Sequence, residues 1–209
     1  IFFTYTEWKT SRSQFLEEIF SKLSFPIFVK GNHLGSSVGL FKATSESELA
    51  EMIDEAFTYD SKVIVEQGIS GREIEFAVYG NDCPHAFPPG EVIANGNVYD
   101  YAAKYGENSF PTTASAKLTE EQIEEGCQLA RKCYLFLGCQ GLTRVDFFLD
   151  DQGVYWLNEM NPIPGFTQIS LFPSICKANG LAFEALIDKL IILGLHKHRN
   201  KLRREVRTQ

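Results

Sequence analysis

The sequence predicts an α+β fold, and three observations carry that prediction. Short β-rich runs and amphipathic helical runs are interleaved along the chain. The segment GREIEFAVYG (71–80) alternates apolar and polar residues between turn signals, the pattern of an antiparallel strand. The segment LTRVDFFLDDQGVYWLNEMN reads as a hairpin about the turn Asp150-Asp151-Gln152-Gly153. A mixture of antiparallel pairs and helices is the α+β class. With 209 residues, 44% hydrophobic and 22% charged, the chain can bury a core for one large domain or two small lobes.

The elements follow in order. Phe15, Ile19 and Leu23 recur at helical spacing over 11–23, with Ser11 or Ser13 as a cap. Phe25 to Val29 is a short apolar strand that ends at Lys30. The glycine–serine loop 31–39 leads to a second strand from Leu40. Thr44 or Ser45 caps a helix over 46–57, and Lys62 to Glu66 is a buried strand. From Pro84 to Ala116 the periodicity is weak, and so long a stretch without regular structure is more often functional than not. A helix over 119–137 opens at Thr119-Glu120-Glu121 and closes at Gly138. The hairpin follows, then a loop with Pro162, Pro164 and Gly165, then a last helix over 181–195. The basic run from His196 to Arg207 reads as a solvated tail.

Net charge is −7, which disfavours non-specific nucleic-acid binding. The five cysteines, at 83, 127, 133, 139 and 176, show no CxxC pair and suit a reducing compartment. No apolar run is long enough to span a membrane. The expectation is a soluble, cytoplasmic chain with no membrane partner. Its start at Ile1, in mid-pattern, suggests a piece of a longer polypeptide.

Four constellations could carry chemistry. If the hairpin turn centres on Asp151 and Gln152, Arg144 faces Glu159 and Asp146 faces Leu157. Arg144, Asp146, Glu159 and Asn161 then share one side, with the two acids diagonal neighbours roughly 7–8 Å apart. Two carboxylates and an amide oxygen suit one or two Mg²⁺ ions, although the same pattern also fits a salt-bridged solvent face. Lys30 stands beside the loop Gly35-Ser36-Ser37-Val38-Gly39, where backbone N–H groups and a lysine could meet phosphate, or which could be a plain turn. Glu66, ending a strand before Gln67-Gly68-Ile69, could read an adenine, and Glu73 could reach a ribose. Tyr99 to Tyr105, with Lys104 among them, could form a lid or an ordinary surface loop.

Taken together, FPIFVKGNHLGSSVGL, KVIVEQGISGREIEFAV, PGEVIANGNVYDYAAKY, LGCQGLTRVDFFL and LNEMNPIPGFTQIS resemble the D-alanine–D-alanine ligase family over roughly residues 1–195. The resemblance implies an ATP-grasp fold, two α+β lobes with the nucleotide between them. It implies a small lobe at 1–71, a large catalytic lobe at 72–195, and a basic tail at 196–209. It implies ATP and two Mg²⁺ ions as cofactors, with Mn²⁺ able to serve, and D-alanine as substrate. By position, Lys30 contacts the α- and β-phosphates, and Ser36 and Ser37 close over them. Glu66 and the backbone of Gly68 and Ile69 take the adenine, Glu73 the ribose, and Lys104 the γ-phosphate. Asp146, Glu159 and Asn161 bind the metals. Arg144 and the Gly165 backbone stabilise the tetrahedral intermediate, Ser36 and Tyr105 border the reacting substrate, and Ser170 with Leu171 holds the second D-alanine's carboxylate. Tyr105 favours an amine as second substrate.

The family usually has Pro where this chain has Gly31, and Thr or Ser where it has Pro162. Its full-length members carry a further N-terminal lobe that has no counterpart here. A homodimer, or fusion to another cell-wall enzyme upstream of Ile1, is compatible with the resemblance. Two other readings remain: another ATP-grasp carboxylate–amine ligase, or a nucleotide-binding fragment inactive by itself.

Overall fold

Thr4 and Glu7 decide where the first helix begins. The Thr4 hydroxyl accepts from the Glu7 N–H, and the Glu7 carboxylate accepts from the Thr4 N–H at 2.8 Å, a reciprocal cap. In the computed structural model, which describes residues 1–35, 38–93, 111–167 and 169–205, helix α1 therefore spans Tyr5–Lys22. It starts earlier than Ser11, which sits inside it as a kink with φ −132°. The apolar spacing after Ser11 hides this start, because the first turns carry one buried residue, Trp8.

The described residues divide into two compact units, one holding residues 1–69 and one holding residues 70–93 and 111–205. The first holds strands β1 (Phe2–Thr4), β2 (Ile27–Gly31), β3 (Leu40–Ala43) and β4 (Lys62–Gln67), with helix α2 (Glu46–Ala56). The sheet order is β1-β4-β2-β3 and every pair is antiparallel. Alternation sends Ile27, Val29, Val63 and Val65 to one face. There they join Phe3, Trp8, Ile19, Leu49 and Ile53 in one buried cluster. Each such side chain contributes about 1.5–3 kcal/mol on burial. The opposite face carries Phe28, Lys30, Ile64 and Glu66, all half-buried.

The second unit is built on a sheet of order β10-β9-β5-β7-β8, with β6 paired to β5. Its strands are β5 (Arg72–Gly80), β6 (His85–Ala86), β7 (Gly90–Val92), β8 (Thr112–Thr113), β9 (Gly141–Leu149) and β10 (Tyr155–Asn161). Its helices are α3 (Glu120–Phe136), α4 (Leu171–Ala178) and α5 (Phe183–Glu205). Thr119 and Gln122 cap α3 reciprocally. Ile74, Phe76, Val78, Val145, Phe147 and Leu149 pack against Cys127, Ala130 and Tyr134 of α3. The Tyr134 hydroxyl donates to the Gly80 carbonyl at 2.7 Å, satisfying a buried polar pair.

Three differences from the sequence reading have local causes. The stretch after Pro84 contains β6, β7 and β8, which are too short to show a period. Helix α4 follows the proline-rich loop, and its apolar run LFPSIC is buried almost throughout, so alternating polarity gives no cue. Helix α5 continues past residue 195 to Glu205, because the basic run has no glycine or proline to stop it. The cysteines are free thiols among the described residues, and burial pushes the Cys127 thiol up to about 11 and Cys176 to about 12.

Gly126 marks the closest approach of α3 to the sheet. A Cβ there would press into the buried Phe76 ring. Gly126→Ala gains at most about 1 kcal/mol in helix propensity but overpacks a ring held on both sides, at about 1–3 kcal/mol. The expected net result is a lower urea midpoint; an unchanged or raised midpoint contradicts the packing described.

Candidate active site

The hairpin that carries the expected acids does not have the simple register. Asp150 donates its N–H to the Val154 carbonyl at 3.1 Å and accepts the Gly153 N–H at 3.1 Å, with Gly153 at φ 82°. A loop with a left-handed glycine in that place pairs Leu149 with Tyr155 and Phe147 with Leu157. A bulge between Leu157 and Glu159 then shifts the count once more. Glu159 faces Asp146 directly, and Asn161 faces Arg144. The expected pairs Arg144–Glu159 and Asp146–Leu157 are corrected accordingly: the turn is one residue longer than assumed, and a bulge cannot be read from polarity alone.

The ladder from β5 to β9 is unbroken, and it adds a residue the sequence reading passed over. Glu75 faces Asp146, and Ala77 faces Arg144. One rung across β5, β9 and β10 thus holds Glu75, Asp146 and Glu159, and the next on the same face, two residues along, holds Ala77, Arg144 and Asn161. Glu75 and Asp146 are both buried. The signal for Glu75 was present, since it shares the alternation of Glu73 and the opposite parity to Ile74 and Phe76. Its register against Asp146 was not.

Arg144 holds this group of charges together. Its Nε donates to Asp146 Oδ1 at 2.8 Å and its Nη2 to Oδ2 at 2.7 Å, a two-point pair. Glu75 Oε2 lies 3.0 Å from Nε, and Glu159 Oε1 lies 3.8 Å from Nη2. Burial by itself weakens the guanidinium charge, but Asp146, Glu75 and Glu159 outweigh it and hold the group protonated well above its ordinary range. This is not the salt-bridged solvent face of the alternative reading.

The donor set fits a hard divalent cation. The Asn161 amide lies 2.9 Å from Asp146 Oδ2 and 3.1 Å from Glu159 Oε1, so three oxygen-bearing side chains converge on one spot. Its N–H group faces the acids here; the reverse amide rotamer would present an oxygen, and carboxylate plus amide oxygens are what Mg²⁺ prefers. Among the described residues no group of three or more His, Cys, Asp and Glu is arranged for a metal. The set at this spot is two carboxylates and an amide, with Glu75 engaged by Arg144. Glu73 lies on the same face of β5, opposite Phe148.

In the first unit, Lys30 Nζ and Glu66 Oε1 form an ion pair at 2.7 Å on the face away from the core. Register explains it: Glu66 faces Phe28, and Lys30 is two residues on along the same face. The Gly68 N–H donates to Pro26 O at 2.9 Å, and its carbonyl accepts from the Gln67 side chain at 3.2 Å. A Cβ on Gly68 would come within 2.5 Å of Pro26 O, which requires the glycine. Asp60 anchors the start of the glycine loop. It accepts the His33 N–H at 2.6 Å and lies 3.0 Å from His33 Nδ1. Burial opposes its charge, but these bonds and the Lys62 N–H outweigh it and lower its pKa to about 2. Ser36, Ser37, Lys104 and Tyr105 lie outside the described residues.

Gly165, Ser170 and Leu171 gather at the entry to α4. Ser170 Oγ accepts the Thr167 N–H at 3.0 Å, and a Cβ on Gly165 would lie 2.9 Å from that oxygen. Ser170 is the cap residue of α4, and Leu171 opens it. The first N–H groups of a helix suit a carboxylate.

The sequence profile of the family described as D-ala D-ala ligase C-terminus matches residues 1–192. A D-alanine–D-alanine ligase of Caldicellulosiruptor bescii is 44% identical over 196 residues, 93% of this chain and 54% of that protein. One from Sodalis glossinidius is 46% identical over 180 residues, covering 86% and 49%. The solved D-alanine–D-alanine ligase from Coxiella burnetii superposes with a TM-score of 0.81 at 34% identity, over 99% of this chain and 55% of that one. The VanG D-Ala:D-Ser ligase from Enterococcus faecalis gives 0.82 at 35% identity, over 92% and 55%. The chain spans about half the length of these relatives.

Two outcomes follow from the charges described. Arg144→Met leaves Asp146 and Glu75 buried without their cation and should cost about 3–5 kcal/mol in chemical denaturation; a cost near zero contradicts the network. Asp60, with its lowered pKa, stabilises fully above its unfolded value of about 4 and loses that contribution as pH falls toward about 2. Asp60→Asn should therefore be less stable than the parent chain at neutral pH, with the gap closing in that acid window. A gap independent of pH would contradict the anchoring role.

Proposed function

This chain belongs to the D-ala D-ala ligase C-terminus family and has the ATP-grasp fold, and on that premise we propose that it supplies the ATP- and metal-handling part of an enzyme that joins two D-alanines. The observation that carries this reading is the rung of Asp146 and Glu159 beside Asn161 and Arg144, a hard-cation donor set with a buried guanidinium next to it.

In the proposed reaction the first D-alanine's carboxylate attacks the γ-phosphate of ATP, giving an acyl phosphate and ADP. The second D-alanine's amine then adds to the acyl carbon, and the tetrahedral oxyanion collapses with loss of phosphate. Asp146, Glu159 and Asn161 would hold two Mg²⁺ ions, or Mn²⁺ in their place, and the bound metal would supply positive charge to phosphate oxygens as negative charge grows on them. Arg144, already charged and fixed, needs no reorganisation to meet the oxyanion together with the Gly165 backbone. Ser170 and the N–H of Leu171 at the start of α4 take the second substrate's carboxylate.

In the first unit, the proposed small lobe, Lys30 neutralises the α- and β-phosphates, with Ser36 and Ser37 closing over them. Its pairing with Glu66 keeps the lysine extended along the sheet face until phosphate arrives. Glu66 and the backbone at Ile69 take the adenine. Gly68 shapes the turn beside it, since its own N–H is held by Pro26. In the second unit, the proposed catalytic lobe, Glu73 takes the ribose; Lys104 takes the γ-phosphate, and Tyr105 belongs to the first substrate's surroundings. The product would serve peptidoglycan precursor synthesis in the cytoplasm.

The complete protein should release ADP only when D-alanine is present, and Arg144→Lys, which keeps the charge but loses the fork, should lower kcat by about 100-fold. ADP formation indifferent to D-alanine would sink the reading.

A further inference from the structure

Lys30 and Glu66 stand in the two inner strands of the first unit's sheet, β2 and β4, and bond to each other at 2.7 Å on the face away from the core. Neither backbone is free to part them. Lys30 is paired with Leu40 on one side and Ile64 on the other, and Glu66 is paired with Phe28. The end of β4 is tied down as well. The Gln67 amide accepts the Ser24 N–H at 2.8 Å and donates to the Ser24 carbonyl at 2.7 Å, and the Gly68 N–H donates to Pro26 O. The pair is therefore broken by rotation of the two side chains, which are 23% and 36% exposed.

The two residues serve different ends of the proposed nucleotide site, the phosphates and the adenine. In ATP the 6-amino group and the α- and β-phosphates lie at opposite ends of the nucleoside, with the ribose between them. An ammonium bonded to the carboxylate that reads the amine cannot bond to those phosphates at the same time. Capture of phosphate by Lys30 thus removes the counterion of Glu66, and a half-buried carboxylate left without a donor is disfavoured. The adenine amine restores a donor to it. Inorganic pyrophosphate restores none, and a 6-oxo purine turns a carbonyl oxygen toward the carboxylate.

We propose that the Lys30–Glu66 pair couples the base and phosphate subsites, so that an adenine amine on Glu66 releases Lys30 to the phosphates. The inference rests on the nucleotide reading above and adds to it a specificity device: the site takes the whole adenine nucleotide in preference to its parts. Removing the carboxylate then strengthens, rather than weakens, the hold on a bare phosphate chain. The size of the effect is that of one partly exposed ion pair, about two- to fivefold in affinity. Both side chains lie outside the buried cluster of the first unit, so their substitution removes no core contact.

NMR titration of the ¹⁵N-labelled full chain with pyrophosphate and, separately, with adenosine reads this, with EDTA present so that no metal contributes. Glu66→Gln should bind pyrophosphate about two- to fivefold tighter than the wild type, and adenosine more weakly. The gain should need the lysine: Glu66→Gln added to Lys30→Met should give none. Pyrophosphate binding that is lost in Lys30→Met and not recovered by adding Glu66→Gln meets that expectation too. A gain of the same size without Lys30 means plain repulsion between Glu66 and the anion, and overturns the proposal. A Glu66→Gln chain whose pyrophosphate affinity is at or below that of the wild type, with adenosine weakened, overturns it as well. Pyrophosphate that binds neither the wild type nor Glu66→Gln, or adenosine that binds both alike or neither, sinks the nucleotide reading itself, and this inference with it.

Discussion

The contact between Arg144 and the acids of β5, β9 and β10 is the constraint on which the second unit's chemistry depends. Three carboxylates in one rung stand at cross-strand separations of about 5 Å, where like charges repel. Two of them are buried, where screening by water is weak. The Arg144 guanidinium, two residues along on the same face, offsets part of this repulsion, with its fork on Asp146 and Glu75 at ion-pair distance from its Nε. The sheet supplies the precision. The pairing of β5 with β9 runs without a shift from Arg72 to Gly80, and its other face is locked by Phe76, Val145 and Phe147 against α3. A charge cluster of this kind is weak as a source of stability. It is better understood as an arrangement that a well-packed apolar face permits.

The first unit uses the same plan with less burial. Its apolar face is covered by α1 and α2, and its other face presents Lys30 and Glu66 among Phe28 and Ile64. That ion pair is partly exposed, and in such a setting its net contribution to stability is small. A lysine paired so loosely gives up its partner at little cost when a stronger anion arrives. Asp60 differs: its bonds to the His33 backbone and to the Lys62 N–H tie the glycine loop to the end of β4, so the loop's root is set by the sheet.

Much of this was legible in the residues, and what was not has identifiable causes. The alternation in 71–80 and the Asp150–Gly153 turn revealed the antiparallel core of the second unit. Side-chain parity placed Arg144, Asp146, Glu159 and Asn161 on one face. The register was wrong because the loop holds three residues and a bulge follows Leu157, and neither changes the polarity pattern. Glu75 was missed for a related reason: its importance lies in which residue it faces, which is a property of the ladder. Helix α1 began early because a cap made by Thr4 and Glu7 outweighed weak amphipathicity in the first turns. The nucleotide roles proposed for Lys30 and Glu66 rest on family resemblance, since an acid at a strand end or a glycine loop has many ordinary explanations.

The central claim is that the acids beside Arg144 form a metal site, and its most direct measurement is crystallographic. Crystals of the chain grown with Mn²⁺ and a non-hydrolysable ATP analogue would be measured at the manganese absorption edge. The account predicts anomalous density among Asp146, Glu159 and Asn161. Manganese bound elsewhere with the analogue present would contradict it.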